Sequence, residues 1–174
     1  TTIAGSAWVG HTRIMRVTVC ELPELRSDLE QQWSTLVDHC RSHASEFVLL
    51  PEMPFSTWLA RQSEPEQRSW MSAVVEHESW REALAELEAG VVCGTQPVIE
   101  AGANLNEAYV WTVDRGCQPA HYKYYLPDEE GFWEARWYQR GPKRFDPADA
   151  RAIRAGFLVC TEMWFTEHAR AYAR

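Results

Sequence analysis

Short apolar runs alternate with amphipathic helical segments along this chain, and that alternation limits the possible folds more than any other feature. Four runs are typical of strands: "MRVTVCEL" (15–22), "FVLL" (47–50), "VVCG" (91–94) and "AGFLVC" (155–160). Between them, apolar residues recur at helical spacing over 25–40 and 65–89. Strands that alternate with helices predict an α/β fold with a central sheet.

The remaining segments complete this organisation. The stretch "EAYVWTVDRGCQPAHYKYYL" (107–126) predicts a hairpin whose turn lies at 114–116. Residues 127–150 are rich in Pro and Gly and predict a loop, whereas 166–174 predict the start of a helix. Residues 1–14 show no clear pattern, so we treat them as an unassigned N-terminal extension of a single domain spanning 15–174.

Composition excludes several classes of function. The net charge of −8 and the shortness of the basic runs argue against nucleic-acid binding. No segment reaches the roughly 18–20 apolar residues that cross a membrane, and the N-terminus lacks a signal-peptide pattern, so we expect no membrane partner. The five cysteines form no C-x-x-C pair, which argues against a zinc site, and their scatter suits a reducing cytosol.

Three residues whose side chains could take part in catalysis follow predicted strands or lie beside the ends of strands. Glu52 comes after "FVLLP", Lys123 lies in "HYKYYLP", and Cys160 follows "GFLV". A carboxylate can activate a thiol, and a lysine can lower the pKa of that thiol and stabilise an oxyanion. Spacing alone leaves ordinary explanations open: a buried cysteine, a capping acid and an exposed strand-edge lysine.

These segments together resemble the nitrilase superfamily of carbon–nitrogen hydrolases. That family has a Glu after an apolar strand and Pro, a Lys in an "rK-x-x-L" segment, and a Cys in "G-x-x-x-C-x-[DE]". The segment "NEAYVWTVDRG" also resembles the "N-x-A" strand and "D-x-G" turn that precede the family's lysine. The resemblance covers roughly residues 15–174 and implies a four-layer αββα sandwich, of which this chain covers roughly the first two thirds.

The resemblance implies a role for each matching residue. Glu52 would be the general base, Lys123 the oxyanion stabiliser and Cys160 the nucleophile, with no cofactor and no metal. A second family glutamate precedes a Gly at fixed spacing, and in "EARWYQRG" that position falls on Glu134. The loop before it varies in length, so two neighbouring acids are rivals for this role: Glu129 and Glu130.

The sequence around the nucleophile bears on the substrate. Family nitrilases commonly show "C-W-E", whereas this chain has Thr161 after the cysteine, and "LPDEEG" resembles amidases and N-carbamoyl-amine hydrolases. We therefore expect a linear amide or N-carbamoyl compound, with the Thr161 N–H as a second oxyanion donor. Aromatic residues close in sequence to these positions are candidate pocket walls: Phe55, Trp58, Trp133, Tyr138 and Trp164.

Three alternatives remain beside the amidase prediction. The chain can be a nitrilase, a catalytically inactive binding subunit that keeps the fold, or an acyltransferase in which an amine replaces water. The superfamily's membrane-bound acyltransferases carry transmembrane helices, and this sequence shows none. The resemblance also implies a homodimer or larger homo-oligomer for the full-length protein.

Overall fold

A computed structural model describes residues 14–24 and 26–173. The predicted extension 1–14 lies outside these residues apart from Ile14, and so does Leu25, the first residue of the first predicted helix. The helices and strands follow in this order: β1 (Val17–Val19), α1 (Arg26–His43), β2 (Phe47–Leu49), α2 (Gln67–Ser79), β3 (Val91–Glu100), β4 (Ala103–Thr112), β5 (Gly116–Tyr122), α3 (Glu134–Trp137), β6 (Ala148–Ala150), β7 (Ile153–Ala155) and α4 (Thr166–Tyr172).

The strands β1 to β5 form one sheet in sequence order. Helical crossovers connect β1, β2 and β3, which are parallel, whereas β3–β4 and β4–β5 are antiparallel hairpins. The β3–β4 turn places Ala101 and Gly102 at positive φ, the geometry of the tight turns that join antiparallel strands. The predicted α/β fold with a central sheet is confirmed, and so is the hairpin formed by β4 and β5.

Helix α1 covers one face of the sheet. Its buried residues recur at the predicted helical spacing and pack on Val48 and Val92 of the sheet: Leu29, Trp33, Leu36, Val37 and Cys40. Full burial of one such aliphatic side chain stabilises a fold by about 1.5–3 kcal/mol, so this contact is a main source of stability. The amphipathic pattern of the sequence therefore identified the core-facing side of α1 correctly.

The opposite face of the sheet is covered over only part of its width. The β6–β7 hairpin and residues 156–159 pack there on Val91, Cys93 and Val110. Val17 and Val19 of β1 lie on the same face, as their register with the neighbouring strands requires, and are 55% and 69% exposed.

Among the described residues, none of the helices has the length and the apolar character that a membrane span requires.

Three predictions about elements were wrong. Residues 155–160 are not one strand: only Ile153–Ala155 pairs, with β6, and residues 156–159 are outside any named strand. The predicted helix 65–89 ends at Ser79, and a separate 3₁₀ helix, Ala83–Leu87, follows it. Val75, one of the apolar residues at helical spacing, is 62% exposed and does not belong to the core. The predicted loop 127–150 contains α3 and β6. Apolar runs and spacing do not reveal these breaks, because chain direction there depends on packing between distant segments.

Candidate active site

The loop after β2 carries Glu52, and buried side chains hold its backbone. Met53 has a left-handed φ of 45°, and its N–H donates to Thr95 Oγ1 at 2.9 Å. The Phe55 N–H donates to His77 Nε2 at 3.3 Å. These bonds satisfy N–H groups that Pro51 and the tight loop keep out of the sheet, so Glu52 is presented from a restrained segment.

Lys123 follows β5 and is fully buried. Its Nζ lies 2.9 Å from Glu52 Oε1 and 2.7 Å from Glu134 Oε2. Asn106 Nδ2 also donates to Glu52 Oε1, at 2.7 Å. Burial by itself lowers the pKa of Lys123, but the two carboxylates outweigh that effect and raise the pKa. The side chain is therefore an ammonium at neutral pH.

Glu134 begins α3 and is fully buried against Lys123. Burial raises the pKa of its carboxyl group, with Lys123 opposing and the charge of Glu52 adding to the rise. Of the three acids considered for this position, the structure brings only Glu134 to the lysine. Glu129 and Glu130 are exposed in the preceding turn.

Cys160 is half-buried and opens the 3₁₀ helix Cys160–Trp164. Its sulfur and carboxylate oxygens of Glu52 and Glu134 all lie within 4.8 Å of one another. Burial raises the pKa of the thiol and Lys123 lowers it, while the two glutamates add to the rise. The residue has a φ of 50°, an uncommon backbone conformation that surrounding contacts must maintain.

Two further polar residues belong to this arrangement, although sequence reasoning assigned them no role. Asn106 is the Asn of the "N-x-A" segment, and Glu162 is the acid of "C-x-[DE]". The Glu162 carboxylate accepts the N–H groups of Val159 and Tyr124. Burial raises the pKa of Glu162 by itself, but a bond from His121 and these backbone bonds reverse the shift and lower it. Both residues are part of motifs that the sequence shows, but the motifs do not reveal which groups these side chains contact.

A cavity of about 430 Å³ opens onto Cys160 and Glu52. Its walls are largely apolar, with contributions from Met53, Trp58 and Phe132. The Trp58 indole N–H donates to the Gly131 carbonyl at 3.2 Å, which ties the loop after β2 to the turn that carries Phe132. This cavity is large enough for a small organic molecule beside the thiol.

The other proposed wall residues do not line this cavity. Phe55 lies in the core, where its ring stacks on Trp80 at a centroid distance of 5.0 Å. Trp164 is 84% exposed on the 3₁₀ helix. Trp133 is half-buried beneath the Arg136 guanidinium, which lies 3.9 Å from the ring centroid. Closeness in sequence to a candidate catalytic residue did not predict closeness to the cavity, because consecutive loop side chains point in different directions.

Tyr138 and Thr161 lie next to site residues, Tyr138 beside Glu134 and Thr161 beside Cys160. Tyr138 is buried, and burial together with the negative charge of Glu134 raises its pKa well above the usual value. The Thr161 hydroxyl donates to the Tyr125 carbonyl at 2.7 Å, so that side chain is directed away from the sulfur. The Thr161 N–H acts on the Cys160 thiol and lowers its pKa. Thr161 therefore reaches the site through its backbone.

One group of potential metal ligands occurs within residues 14–24 and 26–173: Glu52, Glu134 and Cys160. The Lys123 ammonium contacts both of these carboxylates. A cation of the protein itself thus neutralises the oxygens that a metal ion would need, and this donor set fits a metal poorly.

The sequence matches the family described as carbon-nitrogen hydrolase over residues 16–174. The chain belongs to this family. The predicted resemblance to the nitrilase superfamily of carbon–nitrogen hydrolases is confirmed. No curated protein sequence matches the chain.

Solved structures of carbon–nitrogen hydrolases share this fold. The enzyme from Helicobacter pylori G27 is 21% identical with a TM-score of 0.78, over 91% of this chain and 56% of that chain. An amidase variant from Nesterenkonia sp. AN1, in complex with butyramide, is 14% identical with a TM-score of 0.69, over 91% of this chain and 60% of that chain. This chain therefore spans less than two thirds of the length of these neighbours.

A larger enzyme contains a similar domain. The glutamine-dependent NAD(+) synthetase from Cytophaga hutchinsonii is 16% identical with a TM-score of 0.57, over 82% of this chain and 25% of that chain. At these identities the likeness concerns the fold, and the substrate of each neighbour remains a property of that neighbour.

Proposed function

We propose that this chain carries the catalytic centre of a cysteine-dependent hydrolase that cleaves a linear amide or an N-carbamoyl compound. The observation that carries this proposal is the meeting of the Cys160 sulfur with carboxylate oxygens of Glu52 and Glu134 within 4.8 Å. The buried Lys123 ammonium holds both carboxylates. A nucleophile, a base and an oxyanion stabiliser are thus close enough to act on one substrate carbon.

Acylation begins when Glu52 accepts the proton of the Cys160 thiol. The sulfur forms a bond to the carbonyl carbon, and the C=O electron pair moves onto oxygen as an oxyanion. The Lys123 ammonium and the Thr161 N–H stabilise that charge. When the oxyanion collapses, the C–N bond breaks, and the departing nitrogen takes a proton from a glutamic acid to leave as ammonia or an amine.

Deacylation uses water in the second half of the cycle. A glutamate accepts one water proton while the water oxygen bonds to the thioester carbon. The C–S bond then breaks and the sulfur recovers its proton. An amide thus gives a carboxylic acid and ammonia or an amine, whereas an N-carbamoyl compound gives ammonia and a carbamic acid, which breaks down to carbon dioxide and an amine. The raised pKa of Glu134 suits it to hold a proton in part of this cycle.

The cavity supports an uncharged, small acyl group. Met53, Trp58 and Phe132 offer apolar contacts. Arg61 and Glu24 also line the cavity, but their charges pair with each other at 2.7 Å. The amidase variant from Nesterenkonia sp. AN1 is in complex with butyramide, an amide with a short apolar chain. Short aliphatic amides are therefore the first substrates to test.

Ammonia release from a panel of short amides, N-carbamoyl amines and nitriles tests the proposal. We expect release from amides or carbamoyl compounds, and we expect Cys160→Ala to reduce it at least about a thousandfold. Cys117→Ala is the control, because this thiol is also half-buried but lies on β5 in the helix-side core. Equal release by the Cys160→Ala variant and the parent would contradict the mechanism, and turnover of nitriles alone would favour the nitrilase alternative.

A further inference from the structure

The Glu162 carboxylate joins the two chain segments that carry Lys123 and Cys160. It has no exposed surface, and it accepts the Tyr124 N–H at 2.8 Å and the Val159 N–H at 2.9 Å. Tyr124 directly follows Lys123, and Val159 directly precedes Cys160. One buried side chain thus fixes the backbone beside the lysine and beside the nucleophile.

His121 holds this carboxylate from a third direction. Its Nε2 lies 2.9 Å and 3.1 Å from the two oxygens of Glu162, and its Nδ1 lies 3.1 Å from the Arg144 carbonyl oxygen. The ring therefore faces oxygen acceptors on both sides, and Nε2 donates to the buried Glu162 carboxylate.

We propose that Glu162 is a positioning residue, and that its pair with His121 sets the Cys160 sulfur against Glu52 and Lys123. Cys160 needs such support because its left-handed φ of 50° is unfavourable for a residue with a side chain. The Glu162 N–H also donates to the Val159 carbonyl at 3.1 Å, so both ends of Glu162 hold Val159 in place. The inference rests on the proposed function, since amide hydrolysis is one of its two readouts.

The first test is Glu162→Gln. Three N–H donors converge on this carboxylate, whereas the amide of Gln offers one oxygen and an NH₂ donor, so at least one bond becomes a contact between donors. We expect kcat to fall at least about tenfold while KM stays within about threefold, because the thiol is displaced and the binding walls are not. We also expect slower alkylation of Cys160 by iodoacetamide.

Glu107→Gln is the matched control. Glu107 is a buried carboxylate on β4 that accepts the Gln96 side-chain N–H at 2.7 Å, and the side chains that act on it lie on other segments than the one that carries Cys160. The same chemical change should leave kcat and the alkylation rate of Cys160 within about twofold of the parent values. An equal loss of kcat in both variants, or a folded Glu162→Gln variant with the parent's kcat, would overturn the inference.

Two variants of His121 keep the test decisive if Glu162→Gln does not fold. His121→Leu removes the donor to Glu162, whereas His121→Gln retains an N–H donor. We expect His121→Leu to lower kcat by about tenfold and His121→Gln to restore much of that loss. Equal damage from both, or none from His121→Leu, would overturn the role of the pair.

A parent protein that hydrolyses no compound of the panel would defeat the proposed function. The alkylation rates of Cys160 in the same four variants would still decide whether Glu162 and His121 position the sulfur, because that measurement needs no substrate. Slower alkylation in Glu162→Gln and His121→Leu alone would support the inference, and identical rates in all variants would contradict it.

Discussion

Lys123 carries a positive charge where water does not reach, since its side chain has no exposed surface. Burying an ammonium is costly unless opposite charges compensate it, and here the Glu52 and Glu134 carboxylates do so at 2.9 Å and 2.7 Å. Each of the three groups therefore depends on the other two. At this scale, residues proposed for catalysis also support the fold locally.

Replacing Lys123 with Met should destabilise the protein as well as inactivate it. The change leaves two carboxylates facing each other in a buried site, and loss of one partner of a buried ion pair costs about 3–5 kcal/mol. Urea unfolding at pH 7 measures this cost. Adding Glu134→Gln to Lys123→Met should recover part of the stability but none of the amide hydrolysis. A single variant as stable as the parent would contradict this account.

Strand β3 and helix α2 each make one contact with the loop that presents Glu52, through Thr95 and His77. The contact between His77 and the loop can respond to pH. His77 of α2 is buried and accepts the Phe55 N–H through Nε2, while its Nδ1 donates to the Ala73 carbonyl at 2.8 Å. The ring must therefore be neutral, and burial lowers its pKa to about 4. Protonation would remove the acceptor that ties α2 to this loop.

We expect the buried, neutral His77 to make the folded protein less stable relative to the unfolded chain as the pH falls from about 6.5 to about 4. Over that range the unfolded chain binds a proton that the folded chain excludes, so the free energy of unfolding decreases by about 1.4 kcal/mol per pH unit. His77→Gln keeps one donor and one acceptor but does not titrate. Urea unfolding at pH 7 and pH 4.5 should show a smaller loss in this variant than in the parent, and equal losses would contradict the prediction.

A glycine determines how closely the segment after α3 approaches the end of β5. A Cβ built at Gly141 would lie 2.6 Å from the Tyr122 carbonyl oxygen, and the Gly141 N–H donates to the Lys123 carbonyl at 3.0 Å. We therefore expect Gly141→Ala to move the backbone at Lys123, to cost about 1–3 kcal/mol in stability and to lower amide hydrolysis.

Gly102→Ala provides the comparison for this glycine. Gly102 lies in the β3–β4 turn with a φ of +82° and open space around it. Its substitution should cost about 1 kcal/mol through backbone strain and leave activity unchanged. If Gly141→Ala were as active as Gly102→Ala, close approach at Gly141 would not matter for the site.

The five thiols of the molecule lie in different surroundings, and all are free. Cys40 and Cys93 are buried, and burial raises the pKa of Cys93 to about 12. Burial raises the pKa of both Cys20 and Cys117 to about 11. Cys160 alone among the five borders the cavity and has an ammonium near it.

These differences predict an order of chemical labelling across the whole molecule. Iodoacetamide at pH 7.5 should alkylate Cys160 first, since the cavity admits the reagent and the Lys123 ammonium offsets part of the rise in pKa that burial gives this thiol. Peptide mass spectrometry over time measures the rate at each cysteine. Uniform slow labelling of all five would favour a binding subunit over an enzyme, and Lys123→Met should remove the preference for Cys160.

The sequence predicted those features that arise from local pattern. The buried side of α1, the parallel strand before Pro51 and the β4–β5 hairpin follow from residue periodicity and turn residues within short windows. The β3–β4 hairpin was missed because most of β3 is buried, so that no alternation marks its length. Motifs singled out Glu52, Lys123 and Cys160 as candidate site residues, and the strand assigned before Cys160 was too long.

Only the tertiary structure decided which side chains meet. Glu52 and Lys123 are 71 positions apart, and the choice of Glu134 over its neighbours depends on where α3 packs against Lys123. The same holds for Glu162, since two of its three donors, His121 and Tyr124, are 41 and 38 positions away in the sequence. Sequence patterns report local preference for strand, helix or turn, whereas a site requires distances between remote segments, and packing of the whole sheet sets those distances.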